Sequence, residues 1–331
     1  MEVTPAGLTL PSVRRLPWFF VAILVTTALA VPAQAFEEFT PTEALGTGEA
    51  SRAWATGDEG PLLNPSGMSL TKAYTITGSY GYASRLSDQF AHVSVVDSTS
   101  PFNLSGGLYY TYHSTSPSGL PSGSGHEAGL ALSYPFGPYV AIGGTVKYFR
   151  LEGGDAFDGH DGGVTFDVGA TIRPISTVSI GVVGANLRSL STSEATQAVG
   201  YGAALVPRAG ALVVLDGLTR LTPDNQTGRK GTSVMGGGAY TFLEKLAVRL
   251  GGGYDASTGN GYVTFGASGV SEVGAIDAGL RQDLTRSALP GGGEQTRETV
   301  VGVSLRLFVP ASESEETTLD LHGPQAPVTN P

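Results

Sequence analysis

Charged residues placed singly inside apolar stretches are the side chains best suited to chemistry in this chain. In one stretch, Asp277 and Arg281 occupy one phase of an alternation, while Ile276, Ala278 and Leu280 occupy the other. Side chains of a β-strand point alternately to its two faces, so these charges would share one face of a sheet. The charges on that face are of both signs, so they suit either pairing with one another or the lining of a polar pore. The charges predicted to face the interior are Glu127, Lys147, Asp167, Arg173, Arg249, Asp255, Asp277, Arg281, Asp283, Glu298 and Arg306.

The stretch 151–163 is rich in glycine and carries Asp155, Asp158 and Asp161. Carboxylate oxygens are ligands for Ca²⁺, and the stretch resembles one repeat of a Gly-Asp calcium nonapeptide. A single such repeat is ordinarily a solvated acidic loop, which is the interpretation we favour.

Three histidines, His113, His126 and His160, fall near one predicted rim of the sheet and are candidate metal ligands. Surface histidines are commoner than ligands, so we predict no metal and no cofactor. No cysteine and no Gly-x-Ser-x-Gly motif is present in the sequence, and we predict that the protein is not an enzyme. The net charge of −10 argues against nucleic acid as a partner, because phosphate binding needs a basic surface.

The elements that would position these residues are strands of about ten residues, each alternating in polarity. The glycine runs 236–238 and 251–253 lie inside two of them and would let another segment or a ligand approach the wall closely. The fold class predicted is all-β, a fourteen-stranded antiparallel transmembrane β-barrel. The predicted strands are 74–84, 89–97, 105–114, 125–134, 139–150, 162–172, 176–187, 198–206, 209–217, 231–242, 246–254, 260–269, 272–283 and 297–308.

The connectors between these strands fall into two alternating classes, which a water-soluble β-sandwich has no reason to show. Short ones such as 173–175, 207–208 and 270–271 alternate with long polar ones such as 188–197 and 218–230. Short periplasmic turns alternating with long outer loops are typical of bacterial outer-membrane barrels. We therefore predict a location in the bacterial outer membrane, with its lipids as partners.

Both ends of the chain are predicted to lie outside the barrel, which spans 74–309. Residues 1–35 form an export signal, with Arg14 and Arg15, an apolar run at 18–30 and a small-residue cleavage site at 33–35. The segment 36–73 does not alternate and is predicted to be a periplasmic or plug segment. The tail 310–331 is acidic and rich in Pro, Ser and Thr, a composition typical of disorder.

The segment before the first strand carries a pattern formed by Gly46, Gly48, Arg52, Asn64, Pro65 and Gly67, and Asp58 belongs to the same predicted plug. This pattern resembles the FadL-type hydrophobic-compound transporters and the related PorV/PorQ family. The resemblance implies a fourteen-stranded outer-membrane barrel with an N-terminal plug. The last strand, 301–308, also resembles the terminal-strand signal that the barrel assembly machinery reads.

Two functions remain open from the sequence. The FadL-type resemblance implies a passive transporter for small hydrophobic solutes, which a polar outer leaflet would otherwise exclude. The PorV/PorQ resemblance implies a non-enzymatic accessory or scaffold for protein secretion or envelope assembly. A transporter requires an apolar cavity beside 36–73, whereas a scaffold predicts a filled lumen.

Overall fold

The computed structural model describes residues 39–100, 102–116, 122–153, 161–188, 190, 196–222, 230–256, 258–288 and 295–309. The predicted export signal, the tail 310–331, and Asp155, Asp158 and His160 of the glycine-rich loop lie outside these residues. Of Asp161 only the backbone is described.

Fourteen antiparallel strands form a closed barrel in the described part of the chain, which confirms the predicted fold class. Each strand pairs with its neighbours in sequence, and the last pairs with the first. The two-residue strands Ser287–Ala288 and Gln295–Thr296 form a separate ribbon. The barrel strands are β1 Tyr74–Ala83, β2 Asp88–Asp97, β3 Ser105–Thr115, β4 Gly123–Phe136, β5 Val140–Gly153, β6 Asp161–Ile175, β7 Val178–Ala185, β8 Ala198–Arg208, β9 Ala211–Arg220, β10 Thr232–Phe242, β11 Leu246–Asp255, β12 Asn260–Ser271, β13 Gly274–Asp283 and β14 Thr299–Val309.

The barrel is polar inside and apolar outside, the reverse of a water-soluble domain. On β5, Ile142 and Val146 point outward and are 46% and 55% exposed, whereas Thr145 and Lys147 point inward and are 1% and 3% exposed. The same alternation runs around the cylinder and leaves a belt of exposed Leu, Ile, Val and Phe side chains. Such a belt is stable against lipid hydrocarbon and unfavourable against water.

Three of the predicted short turns are wrong, because the strands continue through them. Residues 173–175 belong to β6 and 207–208 to β8, and the true connectors there are the pairs 176–177 and 209–210. Pro174 lies in β6 and Pro207 in β8, and both strands show a register irregularity at these points. Proline cannot donate to the ladder, so it marks a bulge here rather than the end of a strand. The predicted turn 270–271 likewise belongs to β12, whose connector to β13 is 272–273.

The described residues before β1, 39–73, lie inside the barrel, and we call them the luminal segment. The helix α1 covers Thr42–Gly46, a 3-10 helix Gly57–Glu59, α2 Gly60–Leu63 and a second 3-10 helix Pro65–Leu70. The helix α1 is only about one turn long, and the chain turns away after it through positive φ angles at 48 and 49. No helix among the described residues is long and apolar enough to cross a membrane.

A charge on the outward face should cost stability in proportion to its depth in lipid. Val303, at the middle of β14, and Val309, at its end, are both exposed outward. We expect Val303→Arg to lower the unfolding free energy by about 2–4 kcal/mol and Val309→Arg by about 1 kcal/mol or less. Urea unfolding in phosphatidylcholine vesicles measures both. Equal effects of the two substitutions would contradict the assignment of this face to lipid.

Candidate luminal site

The luminal segment is organised around Asn64, which is fully buried. Its amide nitrogen donates to the carbonyl of Arg52 at 2.7 Å and to the hydroxyl of Thr171 on β6 at 3.3 Å. Its side-chain oxygen accepts from the backbone N–H and the hydroxyl of Ser66, at 3.3 Å and 2.7 Å. Asn64 thereby caps the 3-10 helix that Pro65 begins, a position where the missing proline N–H costs nothing. The predicted residues Arg52, Asn64 and Pro65 are therefore brought together.

A second anchor joins the luminal segment to β9 through Asp216. One carboxylate oxygen of Asp216 accepts from the backbone N–H groups of Ser51 and Arg52, at 2.9 Å and 2.8 Å, and lies 3.3 Å from the Arg52 guanidinium. Asp216 is not among the inward charges predicted from the sequence. A lone carboxylate between Leu215 and Gly217 in an otherwise apolar strand was the available signal.

Glycine allows the luminal segment to lie directly on the wall. Gly48 has φ +76°, and a Cβ built there would lie 2.5 Å from the Gly236 carbonyl oxygen and 2.7 Å from the Gly252 nitrogen. The hydroxyl of Thr264 on β12 accepts from the Gly48 N–H at 2.9 Å and donates to the Gly46 carbonyl at 3.1 Å. Backbone of the segment thus packs on backbone of the barrel, where any side chain would hold them apart.

The same close approach recurs at other points of the inner wall. A Cβ at Gly251 would lie 2.3 Å from the Gly48 nitrogen, and one at Gly143 would lie 2.5 Å from the Pro65 carbonyl carbon. Gly67 lies equally close to another part of the segment, since a Cβ there would fall 2.0 Å from the Ala55 carbonyl oxygen. The strand glycines therefore mark the sites that the luminal segment covers.

Glu43 of α1 joins two wall arginines, pairing with Arg249 of β11 and Arg306 of β14. Arg306 also binds both carboxylate oxygens of Asp277, at 2.9 Å and 3.0 Å. The hydroxyl of Ser304 donates to Asp277 at 3.0 Å. The network fixes α1 against three strands, because charge-assisted bidentate pairs hold both partners in orientation.

Two further carboxyl groups of the luminal segment, Asp58 and Glu59, are buried beside this network. Burial raises the pKa of Asp58 from its ordinary 3.8 to about 6, opposed by the nearby Arg306. Burial likewise raises the pKa of Glu59, reinforced by Glu43 and opposed by a hydrogen bond from Ser51. With all carboxyls ionised the cluster would hold four negative and two positive charges, so two protons restore neutrality. Its members are Glu43, Asp58, Glu59, Asp277, Arg249 and Arg306.

At the end of the barrel that carries the longer connectors, which we call the long-loop end, Arg281 forms a second network. It pairs with Glu49 of the luminal segment at 2.9 Å and with Asp283 at 3.2 Å, and its guanidinium lies 4.1 Å from the Tyr262 ring centre. The sequence did not identify Glu43 and Glu49 as partners of the wall arginines, because the luminal segment has no periodicity that would indicate where their side chains point.

The structure directs the side chains of all eleven charged residues predicted to face the lumen inward. Lys147 pairs with Asp167 at 2.9 Å, and Arg220 pairs with Asp255 at 3.3 Å. Glu127 accepts a hydrogen bond from Tyr109. The eleven are Glu127, Lys147, Asp167, Arg173, Arg249, Asp255, Asp277, Arg281, Asp283, Glu298 and Arg306.

Two of the candidate histidine ligands, His113 and His126, lie on opposite faces of the barrel wall, and the third, His160, lies outside the described residues. His113 is buried in the interior, with its Nε2 3.9 Å from a carboxylate oxygen of Glu127. His126 lies on the outward face, where its Nδ1 is 2.6 Å from the Tyr110 hydroxyl. Alternation along neighbouring strands separates them. Within the described ranges, no group of three or more His, Asp or Glu residues is arranged to hold a metal ion.

One part of the lumen, near the long-loop end, is apolar. Phe39 of the luminal segment stacks on His92 at 4.7 Å and lies 6.1 Å from Phe90. These rings border a narrow cleft with a cavity volume of about 20 Å³. We call it the apolar cleft, lined by Phe39, Thr40, Leu45, Glu49, Gly81, Phe90, Val300, Val301 and Gly302. Its aromatic and aliphatic walls offer contacts to an apolar group, and a whole solute molecule would enter only if the cleft widened.

No protein-family model and no curated protein matches this chain. Among solved structures, it resembles the Pseudomonas putida toluene transporter TodX, with a TM-score of 0.61 and 12% identity over 84% of this chain and 99% of that one. The Ralstonia pickettii toluene transporter TbuX gives 0.60 and 12% over 82% and 98%. A Pseudomonas aeruginosa FadL homologue gives 0.50 and 13% over 84% and 98%. The chain therefore has the FadL-type barrel fold.

Close packing at Gly48 should make it intolerant of any side chain. We expect Gly48→Ala to destabilise the protein by more than about 2 kcal/mol, since it combines a left-handed backbone with a collision against the wall. Gly57→Ala is the matched control. Gly57 also has a positive φ, of +56°, but its added Cβ would meet nothing nearer than 3.9 Å. Thermal unfolding in detergent measures both, and equal losses would show that backbone strain alone matters.

The raised pKa of Asp58 predicts a pH-dependent stability. Between pH 3.8 and about 6 the folded protein binds more protons than the unfolded chain, so the unfolding free energy falls as pH rises through this window. In Asp58→Asn, the decrease of the unfolding free energy over this window should be smaller by about 3 kcal/mol. Urea midpoints compared at pH 4 and pH 8 measure it, with Glu244→Gln in an exposed turn as control. If the urea midpoint of Asp58→Asn falls as much between pH 4 and pH 8 as that of the unmodified protein, the prediction is contradicted.

Proposed function

We propose that this protein is a passive channel for small hydrophobic solutes in the bacterial outer membrane. The observation that carries the proposal is the apolar cleft at the long-loop end, between the luminal segment and the barrel wall. Phe39, Leu45 and Phe90 line it together with the small residues Gly81 and Gly302. An apolar solute gains by leaving water for such a surface, whereas the paired charges elsewhere in the lumen offer it nothing.

The fold supports the same function. TodX and TbuX, which share the barrel architecture, are described as toluene transporters. We infer that solutes of similar character enter this barrel from the long-loop end. The identity of the solute is left to experiment, since the resemblance lies in the fold and not in the sequence of a binding site.

In the proposed channel the luminal segment controls passage. Leu45 and Glu49 belong both to the apolar cleft and to the segment that lies across the lumen. Glu43 and Glu49 tether that segment to wall arginines. A solute in the cleft therefore contacts the segment, and its passage requires the segment to shift against these ion pairs.

A second function, a scaffold like PorV and PorQ, is favoured by how firmly the luminal segment is held. The bonds from Asn64 to Thr171 and from Asp216 to Ser51 and Arg52 fix its middle to two strands. A barrel with a filled lumen has no need of a transport path and would act through its rims. The two functions differ in whether the apolar cleft carries a solute.

Filling the apolar cleft should reduce hydrophobic uptake. A Cβ at Gly81 would contact Phe90 at 3.4 Å inside the cleft, whereas one at Gly78, three residues earlier in β1, would meet nothing within 4 Å. We expect Gly81→Leu to abolish most of the uptake that the protein adds, and Gly78→Leu to leave it unchanged. The measurement is the fluorescence rise of N-phenylnaphthylamine in bacteria that produce each variant, normalised to folded barrel.

The outcomes separate the two functions. Loss of uptake in Gly81→Leu alone supports the channel. If the unmodified protein adds no uptake of the dye or of toluene over cells without it, the channel proposal fails and the scaffold is favoured. Equal losses in both variants would also contradict a role for the apolar cleft.

A further inference from the structure

A row of polar side chains crosses the outward face of β3, β4 and β5 near the long-loop end. Strand pairing places Tyr112 of β3 beside His126 of β4, and His126 beside Arg150 of β5. Side chains directly opposite one another on one face of a sheet lie about 5 Å apart, so these three are neighbours. We call them the basic row, and they belong to the face that meets lipid in the lower part of the same strands.

Two further rows, nearer the middle of the barrel, change from aromatic to aliphatic. The second row is formed by Tyr110, Ala128 and Tyr148, and the third by Leu108, Leu130 and Val146. The side chains of the third row are 55–56% exposed, as expected for contact with hydrocarbon. Tyrosine is enriched where hydrocarbon meets the lipid headgroups. The basic row, one step further out than the second row, therefore lies at the level of the headgroups.

Contacts within the rows hold His126 in place and leave Arg150 accessible. The Nδ1 atom of His126 is 2.6 Å from the Tyr110 hydroxyl, and its ring centre is 5.4 Å from that of Tyr112. Arg150 also interacts within the protein, yet its side chain is exposed. A guanidinium carries several N–H donors in a planar fork, so it has donors for a protein contact and for an external anion together.

The basic row marks one sector of the barrel wall. On β10 to β14, the described outward residues at the same end are uncharged, among them Val234, Tyr254 and Val301. A charge on the lipid-facing side is unfavourable unless it reaches the polar headgroup layer. Arg150 reaches that layer, so its position favours a lipid with an anionic headgroup in this sector.

We propose that this sector binds a phosphorylated glycolipid of the outer leaflet, with a phosphate group at Arg150 and His126 and the acyl chains along the two lower rows. Guanidinium groups bind phosphate oxygens in bidentate fashion, which fixes both the position and the orientation of the headgroup. The third row, with Leu108, Leu130 and Val146, offers the acyl chains an aliphatic surface.

The end of the barrel at which the basic row lies decides the source of the anion. Long connectors face outward from the cell in barrels of this kind, so the long-loop end meets the outer leaflet. The lipid of that leaflet is a glycolipid that carries phosphate groups on its sugars. The inference rests on the outer-membrane location in the proposed function and not on transport, so binding of the lipid and uptake of a solute are measured separately.

The experiment measures lipid binding to the full chain, purified in detergent, by native mass spectrometry. The probe is bis-phosphorylated lipid A, added at increasing mole fractions of the micelle. We expect saturable binding of lipid A to the unmodified protein, and we expect Arg150→Gln to weaken it about tenfold or more, since a charge-assisted bidentate contact is lost. Arg286→Gln is the matched control, because it removes the same charge at the same end, from an exposed residue of the connector after β13.

Two further lipids test which part of the glycolipid is recognised, and heat-modifiability on a gel verifies that each variant is folded. Lipid A from which the phosphates have been removed should bind at least about tenfold more weakly, because only the acyl chains and sugars remain. The proposal is overturned if lipid A shows no saturable binding, if Arg150→Gln binds it as well as the unmodified protein, or if Arg286→Gln weakens binding equally. Dephosphorylated lipid A that binds as tightly as the intact lipid also overturns it. Equal binding of phosphatidylglycerol overturns it in favour of anionic lipids in general.

Discussion

The structure depends on one constraint: every backbone N–H and C=O group must find a partner within the protein, because hydrocarbon offers neither donors nor acceptors. In hydrocarbon an unpaired N–H or C=O costs several kcal/mol, so a β-sheet is stable there only without edges. The pairing of β1 with β14, from Tyr74 with Val309 to Ala83 with Val300, meets that requirement. Closure then fixes the two faces of every strand, with one set of side chains in lipid and the other in a common lumen.

The lumen creates a second problem, which the luminal segment solves. Fourteen strands enclose more space than their own side chains fill, and many of the inward residues are charged. Glu43 and Glu49 bring negative charge to Arg249, Arg306 and Arg281, while strand glycines allow the segment to lie against the wall. Ionic pairing and close packing therefore act together to hold the segment in the lumen.

The two ends of the lumen differ in chemistry. The long-loop end presents Phe39 and Phe90 in an apolar cleft, whereas the opposite end holds the buried guanidinium of Arg173. The luminal segment contacts both, through Leu45 at one and through Trp54 and Leu70 at the other.

The sequence by itself determined the strands, their number and the face on which each side chain lies, because a period of two is a local property of the chain. It misplaced turns near Pro174 and Pro207, since a proline in a bulge and a proline in a turn look alike locally. Only the tertiary structure decided the partners. Arg52 meets Asp216 across 164 residues and Glu43 meets Arg249 across 206, and such pairs exist only once the closed barrel brings distant strands around one aperiodic segment.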